Sequence, residues 1–595
     1  MVWEALDMRR AYRGIVAAVI TAAVAAGFAP VAVSAERPPN VVVLMSDDQT
    51  LEEMRFMPAT ERLIGAAGAE FPETITNWPL CCPSRATYMT GQYAHNHGVL
   101  GNKEPQGGFG HLDTEHTLPV WLQRAGYRTI HIGKFLNGYE GSGVGVPPGW
   151  SDWHGLKLTY FYYGYRVFEA GQVVTYGSLD EDPDAPAAPE TYSTDVLTDK
   201  AVQAIDESAP SRQPFFLSVG YLAPHAGGPE GAADSRCRDT AKPAARDIGA
   251  LDDVPLPQPP NFNEVDNSDK PREIRRLAPL TAPQIARATK NYRCRGESMM
   301  AIDRGVKRIV DELRAQGELE DTLVIYTSDN GFFHGEHRIL AGKNRVYEEA
   351  VRVPLLMRGP GIPRGVEVAD EATNADLAAT IVAAAGATPD FALDGRSLLP
   401  FVRHPDRMHG RELLIEQDTP EAEDGEPRGT EYAAVRTSRW KFVRYWDGQV
   451  ELYDLRHDPY ELDNLRADPA YDEVQQALAA RLEKLRTCAG RSCRKKPALT
   501  MKLPAPVRKD GRRCRTADDF VAKVRRPDGA GPGSRIVRVS FRVAGEPSGT
   551  VRRSPFNRKL NSRLLRSGRK PLIEADAELL DGRILTLHDR VGICR

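Results

Sequence analysis

The stretch Val41-Val42-Val43-Leu44-Met45-Ser46-Asp47-Asp48 decides the fold. Its apolar part lacks polar alternation, which is typical of a strand buried on both faces in a parallel sheet covered by helices. A second strand of this kind, Thr322 to Tyr326, is followed by Ser328-Asp329-Asn330-Gly331. Ligand sites in such sheets lie beyond the carboxyl ends of the strands, so we expect the two polar clusters to form one site.

Helical segments lie between these strands, clearest from Tyr292 to Gln316, where apolar residues recur at helical spacing. This alternation predicts a doubly wound, mostly parallel α/β sheet flanked by helices. Strands at Lys441 to Tyr445 and Glu451 to Tyr453, then a helix near Val474 to Leu485, predict a smaller α+β subdomain. From about Leu503, pieces such as Arg535 to Val543 and Arg583 to His588 predict a β-rich module. The predicted regions are an export signal at 1–35, a main α/β domain at 36–410, the subdomain at 411–495 and the module at 496–595.

The composition is that of an ordinary globular chain, with 595 residues, 41% apolar and 27% charged, and 8 Cys. It excludes collagen, coiled coil, a disordered chain and a disulfide miniprotein. The net charge of -3 hides an asymmetry, because residues 496–595 hold 24 Lys and Arg against 10 Asp and Glu. A basic module on an acidic body favours a polyanionic partner such as a sulfated glycan, a cell-wall polymer or nucleic acid. A merely solvated surface is the alternative.

The N-terminal segment has the pattern of an export signal. Arg9, Arg10 and Arg13 precede an apolar run from Gly14 to Val33, and Val33-Ser34-Ala35 supplies the small residues of a cleavage site. The alternative is a membrane anchor, because the run is nearly long enough to span a bilayer. Since no later run approaches that length, we expect a secreted or otherwise extracytoplasmic protein, cleaved near Ala35.

Export permits disulfides. The positions of the eight cysteines favour Cys237 with Cys294, Cys488 with Cys493 and Cys514 with Cys594, although spacing alone does not fix the connectivity. Two large insertions, Ser178 to Glu190 and roughly Ala226 to Pro283, are predicted to be surface loops that shape a cleft. The adjacent cysteines at positions 81 and 82 are left over, and in an exported protein they call for a chemical explanation.

The segment Cys81-Cys82-Pro83-Ser84-Arg85, followed by Thr90-Gly91, resembles the signature of the sulfatase family. The resemblance implies that Cys81 is converted to formylglycine, whose hydrated aldehyde is the nucleophile. Cys82 is then a buried structural thiol. It also implies a sulfate ester substrate and a formylglycine-generating enzyme as the maturation partner. A sulfated carbohydrate becomes the expected partner, and nucleic acid does not.

The two strand-end clusters agree with this resemblance. Asp47, Asp48, Asp329 and Asn330 supply only oxygen ligands, which suit a hard divalent cation. Each cluster alone is more typical of a turn or a cap. The resemblance makes them metal ligands together with the modified side chain of Cys81, and implies Ca2+, with Mg2+ as the alternative ion.

Several basic residues match family positions. Gly133-Lys134 follows a short strand from Thr129 to Ile132, and the resemblance gives Lys134 a sulfate-binding role. It implies that His225 contacts the ester oxygen, that Lys343 aids departure of the leaving group, and that Arg85 holds the hydrated aldehyde. Cations placed where charge develops are the largest contribution that such a reaction needs.

One position departs from the family pattern. Many sulfatases have a His two residues after the Gly-Lys pair, whereas this chain has Leu136, which cannot act as a base. The sequence Gly133 to Asn137, together with His95-Asn96-His97, is similar to that of the glucosamine-6-sulfatase branch. His334 and His337 are candidate replacements for the base. The resemblance covers residues 38 to about 495 and leaves out the basic module.

The predicted function is therefore a secreted sulfatase that hydrolyses sulfate monoesters, with a glucosamine 6-sulfate-like sugar as the expected substrate. Two alternatives stay open. A formylglycine-dependent phosphodiesterase or phosphonate ester hydrolase would use the same motif. A carbohydrate-binding protein on an inactive sulfatase scaffold is the alternative of another class.

Overall fold

The computed structural model describes residues 37–157, 160–177, 189–228, 237–417, 431–527, 531–568 and 570–594. The chain forms two compact units, Met1–Pro38 and Pro39–Arg595, and every described helix and strand belongs to the second. The predicted export signal at 1–35 lies outside the described residues. Within the described ranges, no helix combines the length and the apolar character that crossing a membrane requires.

A mixed sheet of ten strands forms the centre of the described part of the chain. The five strands from Thr322–Ser328 to Asp152–Leu156 run parallel, and the neighbours on both sides join them by antiparallel pairing. This confirms the predicted mostly parallel α/β sheet. In spatial order the strands are Val366–Glu367, Ala69–Glu70, Leu355–Arg358, Thr322–Ser328, Asn40–Ser46, Phe215–Gly220, Arg128–Gly133, Asp152–Leu156, Tyr165–Glu169 and Gln172–Tyr176.

Both faces of the sheet are buried, which explains the continuous apolar run of strand Asn40–Ser46. Val42 and Leu44 belong to one apolar core, and Val41 and Val43 to the core on the opposite face. Because successive side chains of a strand point to opposite faces, no position of the run is left for a polar residue. The first core is closed by helices Ser193–Ser208 and Ala282–Ala315, and the second by helices Cys81–Thr90, Leu118–Arg124 and Ala375–Ala385.

The helix predicted to begin at Tyr292 begins ten residues earlier, at Ala282. Thr281 and Gln284 cap it, with the Thr281 N–H donating to Gln284 Oε1 at 2.9 Å. Pro283 occupies the first turn, where its missing N–H costs nothing. The prediction started late because these first turns are largely exposed and carry few apolar residues.

A four-stranded antiparallel sheet and one helix make up the predicted smaller subdomain. Its strands are Leu413–Gln417, Tyr432–Arg436, Trp440–Tyr445 and Val450–Asp454, and its helix is Asp472–Leu485. The residues beyond it are β-rich, as predicted. Their described strands are Thr500–Lys502, Val507–Lys509, Arg512–Cys514, Val521–Arg525, Ile536–Val543, Glu546–Val551, Asn557–Lys559, Leu572–Leu579 and Ile584–Arg590.

This β-rich module has its own apolar core and also packs against the subdomain. The Gly410 N–H donates to the Ile584 carbonyl oxygen at 2.8 Å. The Arg456 guanidinium lies 3.1 Å from the Glu578 carboxylate. Leu580 is buried in the apolar cluster of the subdomain. The module is therefore fastened to the body through several independent contacts.

The three predicted cysteine pairs are disulfides: Cys237–Cys294, Cys488–Cys493 and Cys514–Cys594. Cys81 and Cys82 are free and buried. Of the two predicted surface loops, Ser178 to Glu190 lies almost wholly outside the described residues. The described part of the second is irregular apart from short turns and the helix Arg272–Arg275.

Candidate active site

Two neighbouring strands bring the acidic clusters together. Ser46 and Ser328 are register partners at the ends of their strands, so the residues that follow them are adjacent. The Asp48 N–H donates to Asp329 Oδ1 at 3.1 Å, and Asn330 Nδ2 donates to Asp48 Oδ1 at 2.8 Å. The structure thus brings the two clusters into direct contact, and their joint role as a site stays a prediction.

Cys81 begins the helix Cys81–Thr90 directly beside this cluster. Its Sγ lies 3.5 Å from Asp47 Oδ1, 3.4 Å from the Lys134 ammonium and 2.9 Å from the Lys343 ammonium. The residue is fully buried. A nucleophile generated at this position would have two ammonium groups and a carboxylate cluster around it.

Arg85 lies on the same helix and donates hydrogen bonds to Asp329 of the cluster and to the backbone of Lys134. Its Nε donates to Asp329 Oδ2 at 2.8 Å, and a terminal nitrogen donates to the Lys134 carbonyl oxygen at 3.0 Å. The other terminal nitrogen, Nη2, is buried and has no hydrogen-bond partner in the described part of the chain. That N–H group is therefore available to a further hydrogen-bond acceptor.

The two lysines each pair with one aspartate, Lys134 with Asp47 and Lys343 with Asp48. The turn that delivers Lys134 requires a glycine. Gly133 has a φ of 98°, and a Cβ there would lie 2.1 Å from the Gly220 carbonyl oxygen. The Gly-Lys pair therefore has a backbone reason as well as a chemical one.

His225 lies beside these charged groups, with Nε2 3.7 Å from Asp48 Oδ2. The side chains of Asp47 and Lys134 are fully buried, whereas those of Lys343 and His225 are 12% and 18% exposed. The site therefore opens to solvent on the side of Lys343 and His225.

Burial and neighbouring charges shift the pKa values of the site. Burial and the Asp47 carboxylate raise the pKa of Cys81 to about 12, so the unmodified side chain is a neutral thiol at physiological pH. Burial lowers the pKa of His225 to about 3, against the pull of Asp48. Burial works to raise the pKa of Asp48, but Lys343 and His225 outweigh it and hold that pKa well below its usual range.

The residues fit a divalent cation. Ligand atoms of Asp47, Asp48, Cys81 and His225 all lie within 4.8 Å of one another. Asn330 Oδ1 is buried without a hydrogen-bond partner among the described residues. Carboxylate and amide oxygens dominate the donor set, as hard cations such as Ca2+ and Mg2+ require.

Both candidate replacements for the base pair with carboxylates other than those beside Cys81. His334 Nε2 lies 3.2 Å from Glu53 Oε1, and His337 Nδ1 lies 2.8 Å from Glu264 Oε2. Leu136 is buried in an apolar core. The histidines that follow the Asp-Asn-Gly turn therefore belong to neighbouring carboxylate networks.

Cys82 behaves as a structural thiol in the described contacts. It lies in the same apolar core as Leu136, and its Sγ accepts a hydrogen bond from the Asn137 N–H at 3.0 Å. Burial raises its pKa above the ordinary range. The adjacent cysteines thus face opposite environments, one polar and one apolar.

Two side chains of the site were missed by the sequence analysis. The Tyr160 ring lies 5.0 Å from the His225 ring, and the Lys134 ammonium lies 5.2 Å from its centroid. Arg295 donates to the Pro224 carbonyl oxygen at 3.0 Å and to Glu53 at 2.7 Å, behind the Asp48 backbone. The sequence signal for Arg295 was an arginine on the apolar face of a long predicted helix. Tyr160 lies in a Tyr-rich loop, and no sequence signal singled it out.

The sheet carries carboxylates, lysines and a helix-initiating cysteine at its strand ends. This combination defines one class of protein, which the comparison with family models identifies. The chain belongs to the sulfatase family: the family model described as Sulfatase matches residues 39–387. The model described as N-sulphoglucosamine sulphohydrolase, C-terminal, matches residues 335–488.

Relatives named as sulfatases are similar over most of the chain. A putative extracellular sulfatase Sulf-1 homolog of Caenorhabditis elegans is 35% identical over 61% of this chain, and this chain spans 49% of that relative's length. An N-acetylglucosamine-6-sulfatase of Homo sapiens is 31% identical, over 77% of this chain and 86% of the relative. An arylsulfatase of Volvox carteri is 32% identical, over 78% and 77%.

Solved structures share the fold. One is a protein in complex with its substrate D-glucosamine-2-N,6-O-disulfate, with a TM-score of 0.59, 23% identity, and coverage of 77% of this chain and 98% of that one. Another is the phosphonate monoester hydrolase of Agrobacterium radiobacter, with a TM-score of 0.54, 23% identity, and coverage of 75% and 95%. At these identities the likeness concerns the fold.

Proposed function

We propose that the protein is a secreted hydrolase of sulfate monoesters on sugars, with formylglycine at position 81 as nucleophile and a bound divalent cation, Ca2+ in preference to Mg2+. The observation that carries the proposal is the position of Cys81 Sγ, 3.5 Å from Asp47 and within 3.4 Å of two lysine ammonium groups. This arrangement suits attack on a tetrahedral anion whose charge has to be neutralised.

Modification of Cys81 is needed because a thiol with a pKa of about 12 is a poor nucleophile. The hydrated aldehyde of formylglycine would supply an attacking oxygen and a second hydroxyl. As sulfate departs, that hydroxyl would lose its proton to a base and the carbonyl would re-form, and water would then restore the hydrate. Asp47, Asp48, Asp329 and Asn330 would hold the cation, which would stabilise negative charge on the attacking oxygen. A formylglycine-generating enzyme is therefore a required partner in the producing cell.

The chain's own cations divide the remaining work. Lys134, fully buried beside Asp47, is assigned to the sulfate oxygens. Lys343 and His225 lie on the solvent side of the site, where the alcohol must leave, and are assigned to the ester oxygen. Lys343 donates a proton to that oxygen and so lowers the barrier to its departure. Arg85 Nη2 is assigned to the oxygen at position 81.

The N-acetylglucosamine-6-sulfatases among the relatives support an amino-sugar 6-sulfate as substrate. The N-terminal sequence pattern supports export. The net positive charge of residues 496–595 supports contact with a polyanion, for which a sulfated polymer is the natural candidate.

A second candidate activity is cleavage of phosphodiesters or phosphonate esters, because a pocket built for one tetrahedral anion admits another. The fold shared with a phosphonate monoester hydrolase favours keeping it under test. A carbohydrate-binding protein without turnover is the remaining candidate, and the intact set of charged residues around Cys81 weighs against it.

The deciding experiment uses protein coexpressed with a formylglycine-generating enzyme, with the modification verified by mass spectrometry. Substrates are an aryl sulfate, glucosamine 6-sulfate and a bis-aryl phosphate, and Cys81→Ala is the control. Sulfate release that disappears in the control supports the proposal. If only the phosphodiester were cleaved, the result would support the phosphodiesterase or phosphonate ester hydrolase instead. If no ester were cleaved, the result would support a carbohydrate-binding protein without turnover.

A further inference from the structure

The β-rich module contains an arginine-lined groove where its three-stranded and four-stranded sheets meet. The groove has a volume of about 640 Å³, and Val524, Ile536 and Asn557 of the two sheets contribute to its walls. Its charged side chains are Arg525, Arg526, Arg535, Arg552 and Arg553. The groove lies outside the residues that the sulfatase family models match.

These arginines are largely without anionic partners. Arg535 pairs with Glu473 at 2.7 Å. In the described ranges, no carboxylate lies within 4.0 Å of Arg525, Arg526, Arg552 or Arg553, and all four are exposed. Like charges gathered in a concave surface raise the local potential and attract an anion. The guanidinium group matches the planar face of an oxyanion with two N–H donors.

We propose that this groove binds a sulfated polysaccharide and holds the polymer on the enzyme; this rests on the proposed function. A chain that carries one sulfate ester for Cys81 carries further sulfates for the arginines. The groove is too small to take a nucleic-acid duplex, which proteins read with elements that protrude into its grooves. Phe556 is the sole aromatic side chain among the described lining residues, and it packs against the module core, so a stacking surface for single-stranded bases is absent there.

The contacts of the module with the subdomain hold the groove at a fixed place on the catalytic body. Arg535 of the groove is itself the partner of Glu473 on the subdomain helix, and Gly410 pairs with Ile584 at 2.8 Å. A polymer bound in the groove therefore stays at a fixed place on the catalytic body. A polymer that spans the distance from the groove to the active site would present its esters there at a raised effective concentration.

The same module supplies a matched control surface. In the hairpin of Val507–Lys509 and Arg512–Cys514, Arg508 lies directly opposite Arg513, and both are exposed. Removing these two charges changes the net charge of the module as much as removing two groove arginines. The hairpin and the groove differ in shape, so the comparison separates a shaped site from general basicity.

The test measures binding of a heparin decasaccharide by titration calorimetry to full-length protein carrying Cys81→Ala, so that turnover does not interfere. We expect Arg525→Gln/Arg552→Gln to weaken binding by about 10-fold, because two exposed ion pairs with sulfate groups are lost. Arg508→Gln/Arg513→Gln is expected to change it by less than about 3-fold. The groove variant should also show a shallower dependence of affinity on salt. Arg552→Gln/Arg553→Gln is a second groove variant, and thermal unfolding checks that each protein is folded.

Three outcomes would overturn the proposal: equal losses in groove and hairpin variants, equal affinity for a desulfated decasaccharide, or equal competition by a single-stranded DNA of matched length. Failure of the proposed function is seen separately. Wild-type protein would then leave the small aryl sulfate intact, whereas groove binding is measured without any turnover.

Discussion

The Lys343 ammonium lies 2.9 Å from Cys81 Sγ and pairs at the same time with the Asp48 carboxylate. One side chain thus links the position of the nucleophile with the acidic cluster, from the side that is open to solvent. In the proposed function the alcohol leaves through this opening, which Lys343 shares with His225.

Replacing Lys343 by Ala should lower kcat on glucosamine 6-sulfate by about 100- to 1,000-fold, the usual cost of losing one charge-stabilising donor. The loss should be smaller on an aryl sulfate with an acidic phenol, because that leaving group needs less proton donation. The measurement is kcat for both substrates. Lys307→Ala, at an exposed lysine paired with Asp311, is the control. Equal losses on both substrates would remove Lys343 from the leaving-group role.

Cys81→Ala should abolish turnover, with a loss of more than about 1,000-fold, whereas Cys82→Ala should leave it largely intact. The physical reason is that Cys81 faces the charged cluster, while Cys82 lies in the apolar core. The measurement is sulfate release by proteins made with the maturation enzyme. If the two variants behaved in the opposite way, the nucleophile would have been assigned to the wrong cysteine.

Removing the cation should abolish activity and lower stability together. After dialysis against a chelator, Ca2+ at 100 times its dissociation constant should raise the free energy of unfolding by about 2.7 kcal/mol. The measurement is thermal unfolding of the apo and reloaded protein, with sulfate release in parallel. Asp329→Asn should show a weakened response, and an unchanged response in that variant would place the ion elsewhere.

The Arg295–Glu53 ion pair predicts a loss of stability in acid. Burial works to raise the pKa of Glu53, but Arg295 and His334 outweigh it and lower that pKa to about 2 from 4.5. Because the folded-state pKa is depressed, the contribution to stability is complete above pH 4.5 and is lost as the pH falls towards 2.

Glu53→Gln leaves Arg295 buried without its counter-charge and should cost about 3–5 kcal/mol near neutral pH. The gap to wild type should narrow as the pH falls from 4.5 towards 2, because Glu53 takes up a proton in the unfolded wild type at a higher pH than in the folded protein. Urea unfolding at several pH values measures this gap. The exposed Glu367→Gln serves as control, and a gap independent of pH would argue against the ion pair as its source.

The sequence alone predicted the parts of the molecule that are determined by residues close together along the chain. Strand Asn40–Ser46 was predictable because both of its faces are buried, and the site because polar groups follow two such strands. The cysteine pairs agreed with their positions along the chain. The Gly-Lys pair and the Cys-Pro-Ser-Arg segment are contiguous in the chain, so they could be found by reading the sequence.

What was missed depends on contacts between distant segments. Tyr160 is part of the site because the chain returns to His225, a separation that no local pattern encodes. The start of the long helix at Ala282 was missed because its first turns face solvent. His334 and His337 were candidate bases by nearness in sequence, yet Glu53 and Glu264 draw them into other networks.

The burial of Cys81 has a consequence for the order of events in the cell. The side chain is 0% exposed in the folded chain, so an enzyme that modifies it has to act before the sheet closes over it. Under the proposed function, such an enzyme would have to recognise the residues around Cys81 in an extended peptide. The proposed modification of Cys81 would therefore compete with folding, and a molecule that folded first would keep a buried, unmodified thiol.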